Sequence, residues 1–218
     1  GYYQRIAAVD VFVVYDNIKY TKKGWINRNR FLQNGASSMF SLPLKKDSDS
    51  LAVVQRELSA EFDHAKLLNQ FKGVYGRAPY FAQTFPMLER IVGCKENNLF
   101  HYLHHSLVET CSHLGIVTEV LISSSIAIEH GLKAQDKVRA LCGALGADTY
   151  VNTIGGTDLY DKETFGAHGI NLQFIKSTPF EYKQFDAPFV SWLSIVDVLM
   201  FNSIANIKDQ IRQGYELI

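Results

Sequence analysis

At 218 residues, 47% hydrophobic and 20% charged, the chain has the composition of a folded globular protein. That excludes disordered, collagen-like and coiled-coil readings. The 22 basic and 22 acidic residues cancel, which argues against a duplex-DNA binder. The length predicts one domain covering 1–218.

In chain order, Val9 to Tyr15 is an apolar run of β-branched and aromatic residues. It predicts a central strand buried on both faces. Met39 to Leu44 predicts a second strand, with Pro43 placing it at an edge or a strand end. Leu51 to Ala65 reads as helix, as do the stretch before Gly73 and Phe81 to Val92. Asn97 to Leu114 is a helix with Phe100, Leu103, Leu107, Cys111 and Leu114 on one face and Gly115 after its end. A strand over Val117 to Ile122, a helix over Gln135 to Leu145, and strands over Thr149 to Asn152 and Leu172 to Ile175 follow. Ser191 to Ile211 is largely helical with a break near Asn202-Ser203. This order predicts an α/β fold with a mainly parallel sheet and flanking helices. A helix-rich segment at about 51–114 would form a cap or added layer.

The three cysteines show no CxxC or zinc spacing, and no apolar run is long enough to span a bilayer. A reducing cytoplasm is the expected location, without membrane insertion. There is no initiator methionine, so an upstream segment is expected to be absent or removed.

Charge is distributed unevenly. Between Asn17 and Lys46 lie seven basic residues and no acid, so the rest of the neutral chain carries the compensating negative charge. Lys19, Lys22, Lys23, Arg28 and Arg30 alternate with Tyr20, Trp25, Asn27 and Asn29 just after the first strand. Ligands of α/β sheets bind beyond the carboxyl ends of strands. Arginine and lysine there suit phosphate or carboxylate, and Trp25 suits stacking on a base or sugar ring. A phosphorylated or nucleotide-linked ligand is one reading, and a solvated basic loop is the other. Asp16, ending the same strand, is either a general base or a cap for the loop backbone.

His101, His105, Glu109 and His113 form a ladder with a spacing of four residues. Helical phase places it opposite the apolar face, so it reads as a solvent-facing stripe and not a metal site. Gly155 and Gly156 follow a predicted strand, where they make either a plain turn or a close backbone approach to ligand. Ser123, Ser124 and Ser125 end another strand and serve either as ligand hydroxyls or as a helix cap. GxGxxG, Walker and GxSxG patterns are absent, and the cofactor stays unassigned.

Taken in order, these segments resemble the WbqC-like family of bacterial proteins. The residues that carry the resemblance begin with Asp10-x-Phe12-Val13-x-Tyr15-Asp16 and Tyr20-x-Lys22-Lys23-x-Trp25-x-Asn27-Arg28-Asn29-Arg30. Tyr75-x-x-Ala78-Pro79-Tyr80-Phe81, Ser123-Ser124, Leu141-Cys142, Gly146-Ala147-x-x-Tyr150, Gly155-Gly156 and Tyr160 continue the pattern. Tyr182-x-Gln184, Phe189 and Leu193-Ser194-Ile195-x-Asp197 close it. Family members usually begin with a strand and a Gln-Pro-x-aromatic turn before the Gly-Tyr pair, and often carry Ser-Gly where this chain has Gly155-Gly156.

The resemblance implies a cytoplasmic protein of surface-polysaccharide (O-antigen) assembly, acting as a transferase on a nucleotide-linked amino sugar by acyl or aminoacyl transfer. On the transferase reading Asp16 and Tyr80 are the expected catalytic residues. Lys22, Trp25, Asn27, Arg28, Arg30, Ser124, Asn152, Gly155, Gly156, Tyr182 and Gln184 would bind the anion or nucleotide sugar. Two alternatives stand beside it: an accessory protein that binds a nucleotide-sugar intermediate or a pathway partner, and a nucleotidyl-transferring or ligase-like enzyme. Oligomerisation stays open.

Overall fold

The computed structural model describes residues 1–218. Its elements in chain order are α1 (Tyr2–Ala7), β1 (Val11–Val14), β2 (Arg28–Gln33), β3 (Ala36–Ser41), α2 (His64–Tyr75), α3 (Phe81–Val92) and α4 (Leu99–Leu114). Then come β4 (Glu119–Ile122), α5 (Ala134–Leu145), β5 (Thr149–Thr153), α6 (Lys162–Gly166), β6 (Asn171–Ser177), α7 (Ile195–Phe201), α8 (Ile204–Gln213) and β7 (Tyr215–Leu217). The fold is mixed α/β. No helix is long and apolar enough to cross a membrane. The chain divides into two compact units: Gly1–Asp16, Ile116–Phe180 and Asp209–Ile218 form one, Asn17–Gly115 and Glu181–Lys208 the other.

In the first unit β1 pairs in parallel with β4, Phe12 opposite Val120. β5 pairs in parallel with β6, and β7 adds to β6 antiparallel. Parallel pairing therefore holds for two of the sheets, but neither β1 nor β4 is central: each has the other as its single strand neighbour. Only Phe12 of β1 is fully buried, beneath the edge of the Tyr2 ring and the Arg5 guanidinium. The β5–β6 pair is better covered. Val138 and Cys142 of α5 pack with Phe165, Ile170, Leu172 and Phe174 into a closed cluster. Helix α5 stops at Gly146, whose φ of 64° is the left-handed C′ conformation glycine adopts readily. Gln4 ties this unit together, donating through Nε2 to the carbonyls of Gln210 and Gly214 and accepting from Ser177 Oγ.

In the second unit β2 and β3 form an antiparallel hairpin closed by Asn34-Gly35, both at positive φ, which is the pattern of a type I′ turn. Arg28 and Arg30 thus lie on a strand, not in the loop their charges suggest. Phe31, Phe40 and Phe71 meet edge to face with centroids 5.2–6.1 Å apart and join the hairpin to α2. The helix-rich stretch holds α2, α3 and α4, but not the helix expected over Leu51 to Ala65. That segment holds a 3-10 turn at Val53–Gln55, a turn at Ala60-Glu61 and isolated strand-like bridges, and only its last two residues, His64 and Ala65, are helical, as the start of α2. Its backbone bonds go to distant partners: Val53 N–H to the Ile18 carbonyl and Leu58 N–H to that of Asn97. These non-local bonds override the apolar spacing that suggested a helix.

Helix α4 begins at an Asn98 cap, whose Oδ1 accepts from the His101 N–H, and ends at Gly115 with φ 67°. Its expected face is buried, with Leu103 half-buried. The histidine ladder is not a solvent stripe along its length, because α3 packs beside it. Glu109 pairs with Arg90 at 2.7 Å, and His105 Nε2 lies 3.4 Å from the Arg90 carbonyl. His101 alone of the four is exposed. No three His, Cys, Asp or Glu side chains gather as a metal site. The C-terminal helix breaks at Asn202-Ser203, giving α7 and α8.

Candidate functional site

In the first unit the carboxyl ends of β1 and β4 bring Asp16 and the Ser123–Ser125 3-10 turn together. Parallel strands in register deliver these residues side by side. Asp16 is 3% exposed, and its Oδ1 accepts from Ser123 Oγ at 2.8 Å and from the Ser124 N–H at 3.0 Å. Burial pushes its pKa up, but the hydrogen bonds from Ser124 and Ser123 outweigh it and hold the carboxyl below its ordinary value. Asp16 is thus an ionised anchor. Ser123 is buried against it, while Ser124 is exposed beside it.

Next to Asp16, Tyr15 is half-buried, and burial followed by its neighbours Tyr160 and Cys142 pushes its phenol up to about 12. The buried Lys137 ammonium from α5 lies 5.2 Å from the Tyr15 ring centroid. Tyr150 and Tyr160 continue the aromatic wall, their centroids 5.8 Å apart. At the end of β5, Asn152 is buried and accepts from the Thr153 N–H. Gly155 and Gly156 lie in a 3-10 turn over Ile154–Leu159, and neither has positive φ. They differ in crowding. A Cβ on Gly156 would meet Asn152 Nδ2 at 2.7 Å, whereas one on Gly155 would meet nothing within 4 Å. The close approach at Gly156 is to Asn152.

In the second unit Trp25 is 56% exposed, with the Arg30 guanidinium 4.6 Å and that of Arg28 5.9 Å from its ring centroid. Arg28 Nε donates to the Gly24 carbonyl at 2.6 Å, which fixes its stem. Neither arginine has a carboxylate partner within 4.0 Å; Lys22 does, Asp49 at 2.7 Å. Asn27 faces inward, accepting from Tyr20 Oη and donating to the Leu42 carbonyl. Tyr80 caps the start of α3, half-buried, its backbone N–H donating to the Met200 carbonyl.

Tyr182 and Gln184 belong to a buried network around Asp197. Tyr75 Oη donates to its Oδ1 at 2.9 Å, while Tyr182 Oη and Gln184 Nε2 donate to its Oδ2 at 2.7 and 2.6 Å. Desolvation raises the pKa of Asp197, and the three donors offset only part of that. Gln184 also accepts from the Val190 N–H and donates to the Val190 carbonyl, so its amide is engaged within the fold.

The structure thus brings Asp16 to Ser124, Asn152 to Gly156, Trp25 to Arg28 and Arg30, and Tyr182 to Gln184. Sequence reasoning misses Tyr15, Lys137 and Asp197 as members of these clusters. Lys137 leaves one signal, its place beside the apolar Val138 face of α5.

Residues 1–209 match the WbqC-like protein family. The chain is also similar to the Uncharacterized protein Rv1507c of Mycobacterium tuberculosis, 27% identical over 215 residues that span 97% of this chain and 92% of that protein. No solved structure matches. With the family pattern running from the β1 strand through the Trp25 patch to the Asp197 network, the chain belongs to the WbqC-like protein family.

Proposed function

We propose that this chain is a transferase that acts on a nucleotide-linked amino sugar, as the family resemblance to surface-polysaccharide assembly implies. One observation carries the reading: an exposed tryptophan flanked by two guanidiniums that no carboxylate neutralises. An indole face stacks a base of any identity, and a guanidinium fork takes phosphate oxygens in pairs. Lys22 contributes less, because Asp49 already occupies it. Asp16 is a weak base, since its hydrogen bonds favour the ionised form; its role here is to orient Ser124. Proton handling falls to Tyr80, whose phenol carries no hydrogen bond from within the chain.

A second reading is a non-catalytic protein that binds the same ligand through the same Trp25 and arginine patch.

Titration calorimetry with uridine-, thymidine- and guanosine-diphosphate hexosamines at fixed salt tests the binding. Trp25→Ala and Arg30→Ala should each weaken it by roughly one to two orders of magnitude, from about 1.5–3 kcal/mol per charge-assisted bond or stacked base. Unchanged affinity in both variants would overturn the reading. Turnover with acyl donors separates transferase from binding protein.

A further inference from the structure

A concavity lies in the second unit, and none of Trp25, Arg28 and Arg30 lines it. It measures about 410 Å³ and runs between the β2–β3 turn, α2 and Phe185. That is within the usual size of small-ligand clefts, roughly 300–1,000 Å³. Gln33, Asn34, Asn69, Gln70 and Arg77 supply its polar groups. None of the five side chains makes a hydrogen bond or ion pair within the chain. Asn69, Gln70, Gly73 and Val74 share one face of α2, so the helix presents both amides to the same space.

Two backbone features set the shape. Gly73 lies in the last turn of α2, where a Cβ would meet nothing within 4 Å. Packing does not demand glycine there, and glycine weakens a helix. What it does is leave the cleft open. Phe185 holds φ at 52°, a left-handed value disfavoured for a bulky residue. The neighbouring Gln184 amide pins the loop to both backbone groups of Val190, and the Phe185 ring packs on Phe201 at 4.8 Å. Strain that the surroundings hold in place is a mark of functional positioning.

We propose that this cleft binds a saccharide. Four carboxamides each offer a donor and an acceptor, which matches adjacent hydroxyls. Arg77 adds a fork of donors for ring, hydroxyl or carboxylate oxygens, and Phe185 and Val74 supply apolar surface for the ring faces. The proposal does not rest on the nucleotide reading, which uses other residues.

The test is side-chain amide NMR of the labelled full chain, titrated with glucose, N-acetylglucosamine and glucuronate. The expected result is shifts of the Gln33, Asn34, Asn69 and Gln70 NH₂ signals with at least one sugar. Tighter binding of glucuronate than of glucose would assign Arg77 to a carboxylate; equal binding would assign it to hydroxyls. Gly73→Leu should fill the cleft and weaken binding about tenfold or more, without lowering the melting temperature. Gln70→Ala should weaken it about tenfold. Trp25→Ala should leave these shifts unchanged, which separates this site from the nucleotide patch. No amide shift with any of the three sugars, or full binding by the Gly73→Leu variant, would overturn the proposal. So would equal shifts from acetate and glucuronate with none from the neutral sugars, because the cleft would then be only an anion hook.

Discussion

Tyr75 is the residue whose loss the second unit should feel most sharply for the smallest change in shape. Its ring is fully buried, its Oη accepts from the Leu32 N–H at 2.9 Å and donates to Asp197 at 2.9 Å. One phenol therefore joins β2 to α7. Tyr75→Phe keeps the ring and removes both bonds. It leaves a buried N–H without an acceptor, about 1–3 kcal/mol, and takes a charge-assisted bond from Asp197, about 1.5–3 kcal/mol. The expected loss is about 2.5–6 kcal/mol. At about 2–4 °C per kcal/mol for a chain of this length, the melting temperature should fall by roughly 5–24 °C. Tyr182→Phe removes one bond to the same carboxylate and should cost about 1.5–3 kcal/mol.

The pH dependence has a definite sign. The folded-state pKa of Asp197 is raised, so its contribution to stability is present below the ordinary carboxylate range and is lost as pH rises through the folded value. The Tyr75 bond lowers that pKa, so in Tyr75→Phe the same loss should extend to higher pH. Circular dichroism melts of the three proteins from pH 4 to pH 8, with urea titrations at pH 7, measure both effects. A Tyr75→Phe loss below about 1 kcal/mol at pH 7 would refute the reasoning.

Three further outcomes are expected. Asp16→Asn should destabilise the chain above about pH 4 and converge with the parent as pH falls through the depressed folded-state pKa, seen in parallel acid titrations by fluorescence. Gly156→Ala should lower the melting temperature by pushing the Asn152 amide aside, whereas Gly155→Ala should leave it within about 2 °C, an effect below about 0.5 kcal/mol. Glu109→Gln should cost under about 1 kcal/mol in a urea titration, because the Arg90 it pairs with is largely exposed.

Helix α4 was legible because its apolar period and its Gly115 stop agree. The same holds for α5 and for the break at Asn202-Ser203. The β2–β3 hairpin was harder to see. Arg28 and Arg30 look like loop residues by charge, and the informative signal was the short Asn34-Gly35 pair. Residues 51–65 misled because apolar spacing reports a buried face without saying whose backbone supplies the hydrogen bonds. Among candidate site residues, the meeting of Asp16 with Ser124 follows from two strands ending side by side. The inward turn of Asn27 and Gln184 does not, since an amide in a sequence looks the same whether it meets solvent or a carbonyl. Asp197 draws its donors from positions 75, 182 and 184, and local pattern carries no trace of that convergence.

Gln4 has a consequence for how the chain is made. It bonds to residues 173, 206 and 210 positions away, and β7, the last strand, pairs with β6 only after residue 215 exists. The other unit needs residues 181–208 to close around Asp197. On the ribosome, therefore, neither unit has its full set of elements until residues beyond about 200 have been synthesised. The α2–α4 helices can form early from local contacts, but the emerging N-terminal helix and β1 must wait for partners far downstream. Through that interval Ile6 and Phe12, buried in the finished protein, are exposed to solvent or to a chaperone. Slower translation of the codons after residue 180 would lengthen that exposure.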